Sequence, residues 1–275
     1  MQPTAKIVAD SISLSGKRIT TFVLHYHRYL LAEFNTHRVF SRSTASSRAI
    51  PISKTVQAAM QDPAMPAVWM KNKPGMQATE EMDPEASKQV ELIWRNLAIH
   101  TAKEVQKMAD LGLHKQTANR PLEWTQYSTT IVTATEWDNF FGLRTHSDAQ
   151  PEFQVLANAM FKVYCQSEPT QLDADSWHLP LISSDEHTRF NQENLKKFSA
   201  ARCARVSTLN HDGSQPDPNK DLSLHDRLLN SGHMSPFEHQ AAQLNDSYTK
   251  AGNFVGWYSY RYSLPNEENI TRFKV

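Results

Sequence analysis

The densest group of reactive side chains lies in residues 36–50, THRVFSRSTASSRAI. His37-Arg38 is followed by seven residues and then by Ser46-Ser47-Arg48, with Arg42 between them. Guanidinium forks, hydroxyls and loop N–H groups are what a phosphate monoester needs, because it presents three acceptor oxygens and close to two negative charges. The same composition also reads as a solvated Ser/Arg loop. Either way the stretch is expected to be a loop, and in the first reading a loop with a function. His25 and His27 stand two apart on a predicted strand and share a face, but no third ligand has sensible spacing, so no metal is expected. Cys165 and Cys203 show no CxxC spacing and no basic neighbourhood arranged for a thiolate, and neither is expected to act as one. There is no GxGxxG and no P-loop. Trp177-His178-Leu179-Pro180 is distinctive, with no role assigned from sequence.

The elements that must position these groups follow from periodicity. Residues 5–13 and 128–134 read as strands, and 18–32 as a strand passing into helix near Leu30. Helices are predicted over 85–111 (with Gly112 as C-cap), 114–123, 135–144, 151–164, 192–204 and 222–230. A proline-rich stretch within 51–85 reads as an irregular insertion, and 166–190 as a loop. The expected fold class is α/β (α+β): a mixed, mainly antiparallel sheet with several helices, as one domain over 1–275.

Composition narrows the function. The chain has 275 residues, 39% hydrophobic, enough for a real core. Lys+Arg and Asp+Glu are both 29, so the formal net charge is zero. Affinity for nucleic acid or an acidic membrane comes from surplus cations, so neither partner is expected. The N-terminal MQPTAKIVADS lacks an apolar run, and no stretch approaches the roughly 18 apolar residues of a membrane helix. With two cysteines, a reducing cytoplasm is the expected location.

Three segments carry a resemblance. Thr36-His37-Arg38, seven residues, Ser46-Ser47-Arg48 resembles the signature R-H-R, seven residues, S-x-R of the flavin-dependent thymidylate synthases. Thr36 replaces the first arginine, and Thr44 the glutamate usual within the seven. Residues 128–150, STTIVTATEWDNFFGLRTHSDAQ, resemble the family's strand–helix element ending in N-L-R, four residues, A-Q, with Asn139, Arg144, Ala149 and Gln150 on matching positions. Arg120 sits where the family has an arginine before a Leu-Pro pair. Gly232-His233-Met234-Ser235-Pro236-Phe237-Glu238-His239 resembles the flavin-contacting G-H-x-[ST]-P-F-E-H, and residues 200–207 its upstream A-A-R-V-S run. In the family that segment precedes R-H-R. Here it comes last, so the chain reads as a permuted or half-duplicated, virus-like member of the kind a bacteriophage encodes. Arg261, Asn266 and Glu267, in residues 256–269, align with a degraded second copy of the signature.

The resemblance implies reductive methylation of dUMP to dTMP with FAD as cofactor, and NADPH and methylenetetrahydrofolate as co-substrates. It assigns Arg144 to the developing ring anion. Ser46, Ser47, Arg48 and Arg120 fall to the dUMP phosphate, with Glu33 near the nucleotide where the family commonly has Gln. His37, Arg38, Asn139, His233, Ser235 and Glu238 are assigned to FAD. The family builds its sites at the contacts of a homotetramer, and the same is expected here. Without the resemblance, Arg144 reads as a helix-end charge and His233 as a cap or packed histidine. Thr36 and Thr44 keep two alternatives open: hydroxymethyl transfer or dCMP as substrate on the same scaffold, and a non-catalytic nucleotide- or flavin-binding homologue.

Overall fold

The computed structural model describes residues 2–210 and 213–265. Asn266 and Glu267 lie outside the described residues.

The framework is a five-stranded sheet. β1 (Thr4–Ile12) and β2 (Arg18–His27) form a hairpin, and β3 (Ser41–Thr44), β4 (Tyr127–Ala134) and β5 (Thr170–Gln171) complete the order β3-β4-β2-β1-β5. Every pairing is antiparallel except β1 with β5. The register sets Thr21 opposite Thr133, Phe22 opposite Val132 and Val23 opposite Ile131. Side chains alternate along a strand, so this register sorts the strands into two faces.

One face carries Phe22, Leu24, Tyr26, Val132 and Ala134. Against it lie α5 (Asp138–Arg144) and α6 (Pro151–Gln166), which contribute Phe140, Phe141, Phe153, Leu156 and Met160. Fully burying one such side chain contributes roughly 1.5–3 kcal/mol. The opposite face carries Thr21, Val23, Ile131 and Thr133. There Ile131 and Val23 meet Leu181, Cys203 and Val206 of a C-terminal layer.

That layer contains α7 (Ser184–Arg189), α8 (Gln192–Arg205) and α9 (Pro218–Ser231), and a small sheet of β6 (Trp177–His178), β7 (Ala241–Gln243) and β10 (Trp257–Ser259). The hairpin β8 (Lys250–Ala251) and β9 (Phe254–Val255) lies between β7 and β10 in the chain. α9 starts with Asp217 accepting from the Asn219 N–H and with Pro218 in its first turn, and Gly232 (φ 74°) ends it in the left-handed region.

The short α1 (Leu31–Phe34) sets Phe34 into the first core cluster, and a third cluster packs α2 (Ile52–Gln61), α3 (Pro84–Asp110) and α4 (Lys115–Ala118) together, with Val56, Ala59, Ala102, Val105 and Leu122 at its centre. Asp83 caps α3 by accepting from the Ala86 N–H, and Gly112 (φ 91°) follows its C-terminus.

Three expectations change. Residues 41–44 form an edge strand where a loop was expected, because Ser41 and Ser43 find partners in Asn253 and His239, far along the chain. The irregular stretch expected over 51–85 begins in α2, whose buried Thr55, Val56 and Ala59 recur at helical spacing. The loop expected over 166–190 contains α7, set by a capping box in which Ser183 and Glu186 satisfy each other's backbone N–H. Among the described residues no helix is long and apolar enough to cross a membrane.

Candidate active site

Arg144 ends α5, and its guanidinium is committed on two sides. Its Nε–H donates to His37 Nε2 at 2.9 Å, and Nη1 pairs with the Glu33 carboxylate. The guanidinium also lies over the Phe153 ring, 4.7 Å from its centre. For Nε2 to accept, the imidazole must be neutral with its proton on Nδ1. Burial and the charges of Arg144 and Arg42 enforce that state by lowering the His37 pKa to about 4. The Arg42 guanidinium in turn donates to the carbonyls of Phe34 and His37 at 3.1 and 2.8 Å, fixing the turn between α1 and β3.

Glu33 opens onto a cleft of about 740 Å³. One wall is the segment 68–81, and the other is Ser147–Pro151 with Gln154. The buried Glu152 joins the walls, accepting from the Ala67 N–H at 2.8 Å and from Gln150 at 2.9 Å. Asp148, Ala149 and Gln150 thus line the same cleft as Glu33.

A second group lies on the other side of α1. Ser47 is buried in the short 3-10 turn Ser47–Ala49, between exposed Ser46 and exposed Arg48. Asn119 clamps that turn by donating to the carbonyls of Ser47 and Ile50 at 2.9 and 3.0 Å. The Ser47 hydroxyl donates to Glu123 at 2.9 Å, and Arg120 donates to the same carboxylate oxygen at 2.6 Å. Arg38 and Arg48 are exposed, and neither guanidinium has a partner among the described residues. Thr36 caps locally, its hydroxyl donating to the Glu33 carbonyl at 2.7 Å.

The C-terminal motif comes to β3. His233 and Ser235 are exposed at the turn after α9, where Ser231 and His233 are hydrogen-bonded at 2.8 Å. Glu238 pairs with Arg261. His239 is fully buried and hydrogen-bonded to Thr133 at 2.9 Å and to Ser43 at 3.0 Å. His178 is the other buried bridge, to Ser11 at 2.9 Å and Thr21 at 2.7 Å. Thr21 and Thr133 are joined at 2.7 Å. A continuous polar row, Ser11–His178–Thr21–Thr133–His239–Ser43, therefore crosses the sheet under the C-terminal layer. Burial holds both histidines neutral, with pKa values lowered to about 3.

The structure brings Glu33, His37 and Arg144 together, with Glu33 lining the cleft, and Ser47 and Arg120 together beyond α1. Asn139 is exposed on α5. Arg28, Asn119 and Glu123 were missed in sequence. Asn119 stood inside the run ending at Arg120, and Arg28 was a lone charge at a strand end. His178 gains its role here, as a link between layers. His25 stacks on Tyr127, and His27 Nε2 is hydrogen-bonded to the Met65 carbonyl at 2.6 Å.

The family model of the thymidylate synthase complementing proteins matches residues 18–170, which contain all of β2, β3, β4, α5 and α6 and both clusters around α1. The chain belongs to that family. No curated relative matches the chain. Among solved structures it is similar to a UMP/dUMP methylase, PolB from Streptomyces cacaoi. The form bound with 5-Br UMP is 17% identical with a TM-score of 0.48, and the form bound with 5-Br dUMP is 18% identical with a TM-score of 0.49. Each comparison covers 60% of this chain and 90% of the other. The family match ends well before His233, so the C-terminal motif joins the matched region through folding, at Ser43 and Thr133.

Proposed function

We propose that this chain is a flavin-dependent thymidylate synthase, converting dUMP to dTMP with methylenetetrahydrofolate as one-carbon donor and NADPH as reductant. The observation that carries the reading is the placement of Arg144. Inside the family-matched region, a guanidinium is held between a neutral histidine and a carboxylate that lines a large cleft. Electron density must be pushed into the pyrimidine before C5 attacks the carbon donor. A fixed guanidinium at the ring's O2/N3 edge stabilises the anion that develops there. The two contacts keep Arg144 from reorganising as charge appears, and the neutral His37 adds no competing positive charge.

Exposed Arg38 and Arg48, without partners among the described residues, and the hydroxyls of Ser46 and Ser47 suit anionic phosphoryl groups. We assign Ser46, Ser47, Arg48 and Arg120 to the nucleotide phosphate, with Glu33 beside the base. His37, Arg38, Asn139, His233, Ser235 and Glu238 are assigned to FAD. The fit to FAD rests on chemistry: a free guanidinium for the pyrophosphate and exposed polar groups on α5 and before β7. A bound flavin, once reduced by NADPH, would supply the hydride that completes the methyl group and would return to the oxidised state. The exposure of Arg38, Asn139, His233 and Ser235 agrees with a site finished by other copies in a homotetramer. Neither cysteine enters: Cys203 is fully buried and its thiol pKa is pushed up by burial.

Glu33 favours one second reading. A carboxylate beside the base accepts from an exocyclic amino group, which cytosine has and uracil lacks. The test of both is incubation of purified protein with FAD, NADPH, methylenetetrahydrofolate and either dUMP or dCMP, read by product mass. Methylated dUMP supports the first reading, and turnover of dCMP alone supports the second.

A further inference from the structure

The donor cluster beyond α1 already holds an anion of its own. One oxygen of Glu123, Oε1, accepts from the Ser47 hydroxyl at 2.9 Å, from Arg120 Nη1 at 2.6 Å and from Arg28 Nη2 at 3.4 Å. Arg28 Nη2 also lies 3.4 Å from Ser47 Oγ, and Nη1 donates to Ser128 at 3.0 Å. Three donors from three separate segments converging on one oxygen is the arrangement a phosphoryl oxygen takes. The donors exceed what Glu123 uses. Arg28 Nε is buried without a partner among the described residues, as is the nearby Gln126 Nε2, and a buried unsatisfied donor costs about 1–3 kcal/mol unless something offsets it.

The cluster opens onto a cavity of about 420 Å³, lined by Arg28, Tyr29, Ala32, Asn35, Glu123 and Trp124. Glu123 is movable. Its side chain is 32% exposed, while Arg28 is only 12% exposed and fixed at the end of β2. Burial opposes ionisation of Glu123, but the Ser47 hydrogen bond and the charges of Arg28 and Arg120 hold its carboxyl below the usual range, so it stays anionic.

We propose that Arg28, Arg120 and Ser47 form an oxyanion site for a phosphate monoester, and that Glu123 is its resident stand-in, keeping the donors gathered and leaving when the phosphate enters. Arg28 and Glu123 extend the phosphate assignment given above, and the nucleotide arm of the test rests on that reading. Glu123 then sets affinity. Replacing its carboxylate by an amide keeps an acceptor in place but weakens the competitor, because charge-assisted hydrogen bonds are roughly twice as strong as neutral ones.

The experiment titrates wild type, Glu123→Gln and Arg28→Met with inorganic phosphate, dUMP and deoxyuridine by calorimetry, with circular dichroism confirming each fold. Glu123→Gln should bind phosphate and dUMP about tenfold more tightly. Arg28→Met should bind both at least about tenfold more weakly, and deoxyuridine should be unchanged throughout. Folded Glu123→Gln with unchanged or weaker phosphate binding overturns the proposal, as does a silent Arg28→Met. Wild type that binds dUMP but is indifferent to phosphate also overturns it, while leaving the nucleotide reading intact. Phosphate effects as expected, with dUMP no better than deoxyuridine, uphold the oxyanion site and sink the nucleotide assignment.

Discussion

Two arginine clusters in this molecule look alike in sequence and differ in how completely their donors are used. In the C-terminal layer, Arg202 is fully buried. It donates to Asp221 at 2.9 Å, to the Leu181 carbonyl at 2.9 Å and to both oxygens of Glu186 at 2.8 and 2.6 Å. Arg205 takes the other Asp221 oxygen at 2.7 Å. The bidentate Arg202 lowers the Glu186 pKa to about 2. Every nitrogen of the Arg202 guanidinium is engaged by the protein. Around α1 the accounting is incomplete: Arg28 keeps an orphaned Nε, and Arg38 and Arg48 have no partner among the described residues. A saturated cluster joins helices to one another. An unsaturated one, bordering a cavity, is built for something that arrives later. Arg202 and Arg205 on one side and Arg38 and Arg48 on the other sit inside motifs of the family resemblance, so a motif match alone does not tell which role an arginine has.

The largest effect should come from the saturated side. Arg202→Ala removes the counter-charge of the half-buried Glu186 and leaves the buried Asp221 with Arg205 alone, and should cost about 3–5 kcal/mol of stability, measured by urea unfolding. If this variant unfolds at the wild-type midpoint, the network is not holding α7, α8 and α9 together.

Arg144→Ala should reduce turnover about 100-fold or more, as removal of an oxyanion donor does. Flavin retention should be nearly normal. Full activity in this variant would make Arg144 a helix-end charge and nothing more.

Arg48→Ala tests the unsaturated side. Its loss should leave stability within about 0.5 kcal/mol, because the side chain is exposed. Nucleotide affinity should fall about 10- to 150-fold, while deoxyuridine is unaffected. A stability loss without an affinity loss would place Arg48 with Arg202.

The fold was partly legible in sequence. β1, β2, β4, α3, α6 and α8 follow from hydrophobic period and caps, because those signals are local. β3 was not legible: Ser41-Arg42-Ser43-Thr44 has the composition of a loop, and what makes it a strand is Asn253 and His239, some 200 residues away. The same holds for the site. Glu33, His37 and Arg144 were found by motif, and their convergence is a fact of packing. Arg28 and Glu123 carry no motif, and only the shared oxygen reveals them. His178 was visible as an oddity and acquires a role only once Ser11 and Thr21 face it.

The two histidines of the polar row, with His37, predict a pH-dependent effect on stability. His37, His178 and His239 have folded pKa values lowered to about 4, 3 and 3, below the usual 6.5 of an unfolded histidine. Between those limits the unfolded chain binds more protons, so stability is complete above about pH 6.5 and falls as pH drops. Each histidine contributes a slope of up to about 1.4 kcal/mol per pH unit. Urea midpoints measured from pH 7 down to pH 5 should show the decline, and His178→Asn should flatten it. A flat profile in wild type would mean that these imidazoles titrate normally.

The central claim is that Arg144, set by Glu33 and neutral His37, activates a pyrimidine nucleotide for reductive methylation. It is tested most directly by single-turnover incubation of wild type and Arg144→Ala with FAD, NADPH, methylenetetrahydrofolate and dUMP, with the nucleotide product read by mass. Wild type should yield dUMP bearing one added methyl group, and Arg144→Ala should yield about 100-fold less in the same time. Wild-type protein that binds dUMP and flavin yet leaves the nucleotide mass unchanged would contradict the account.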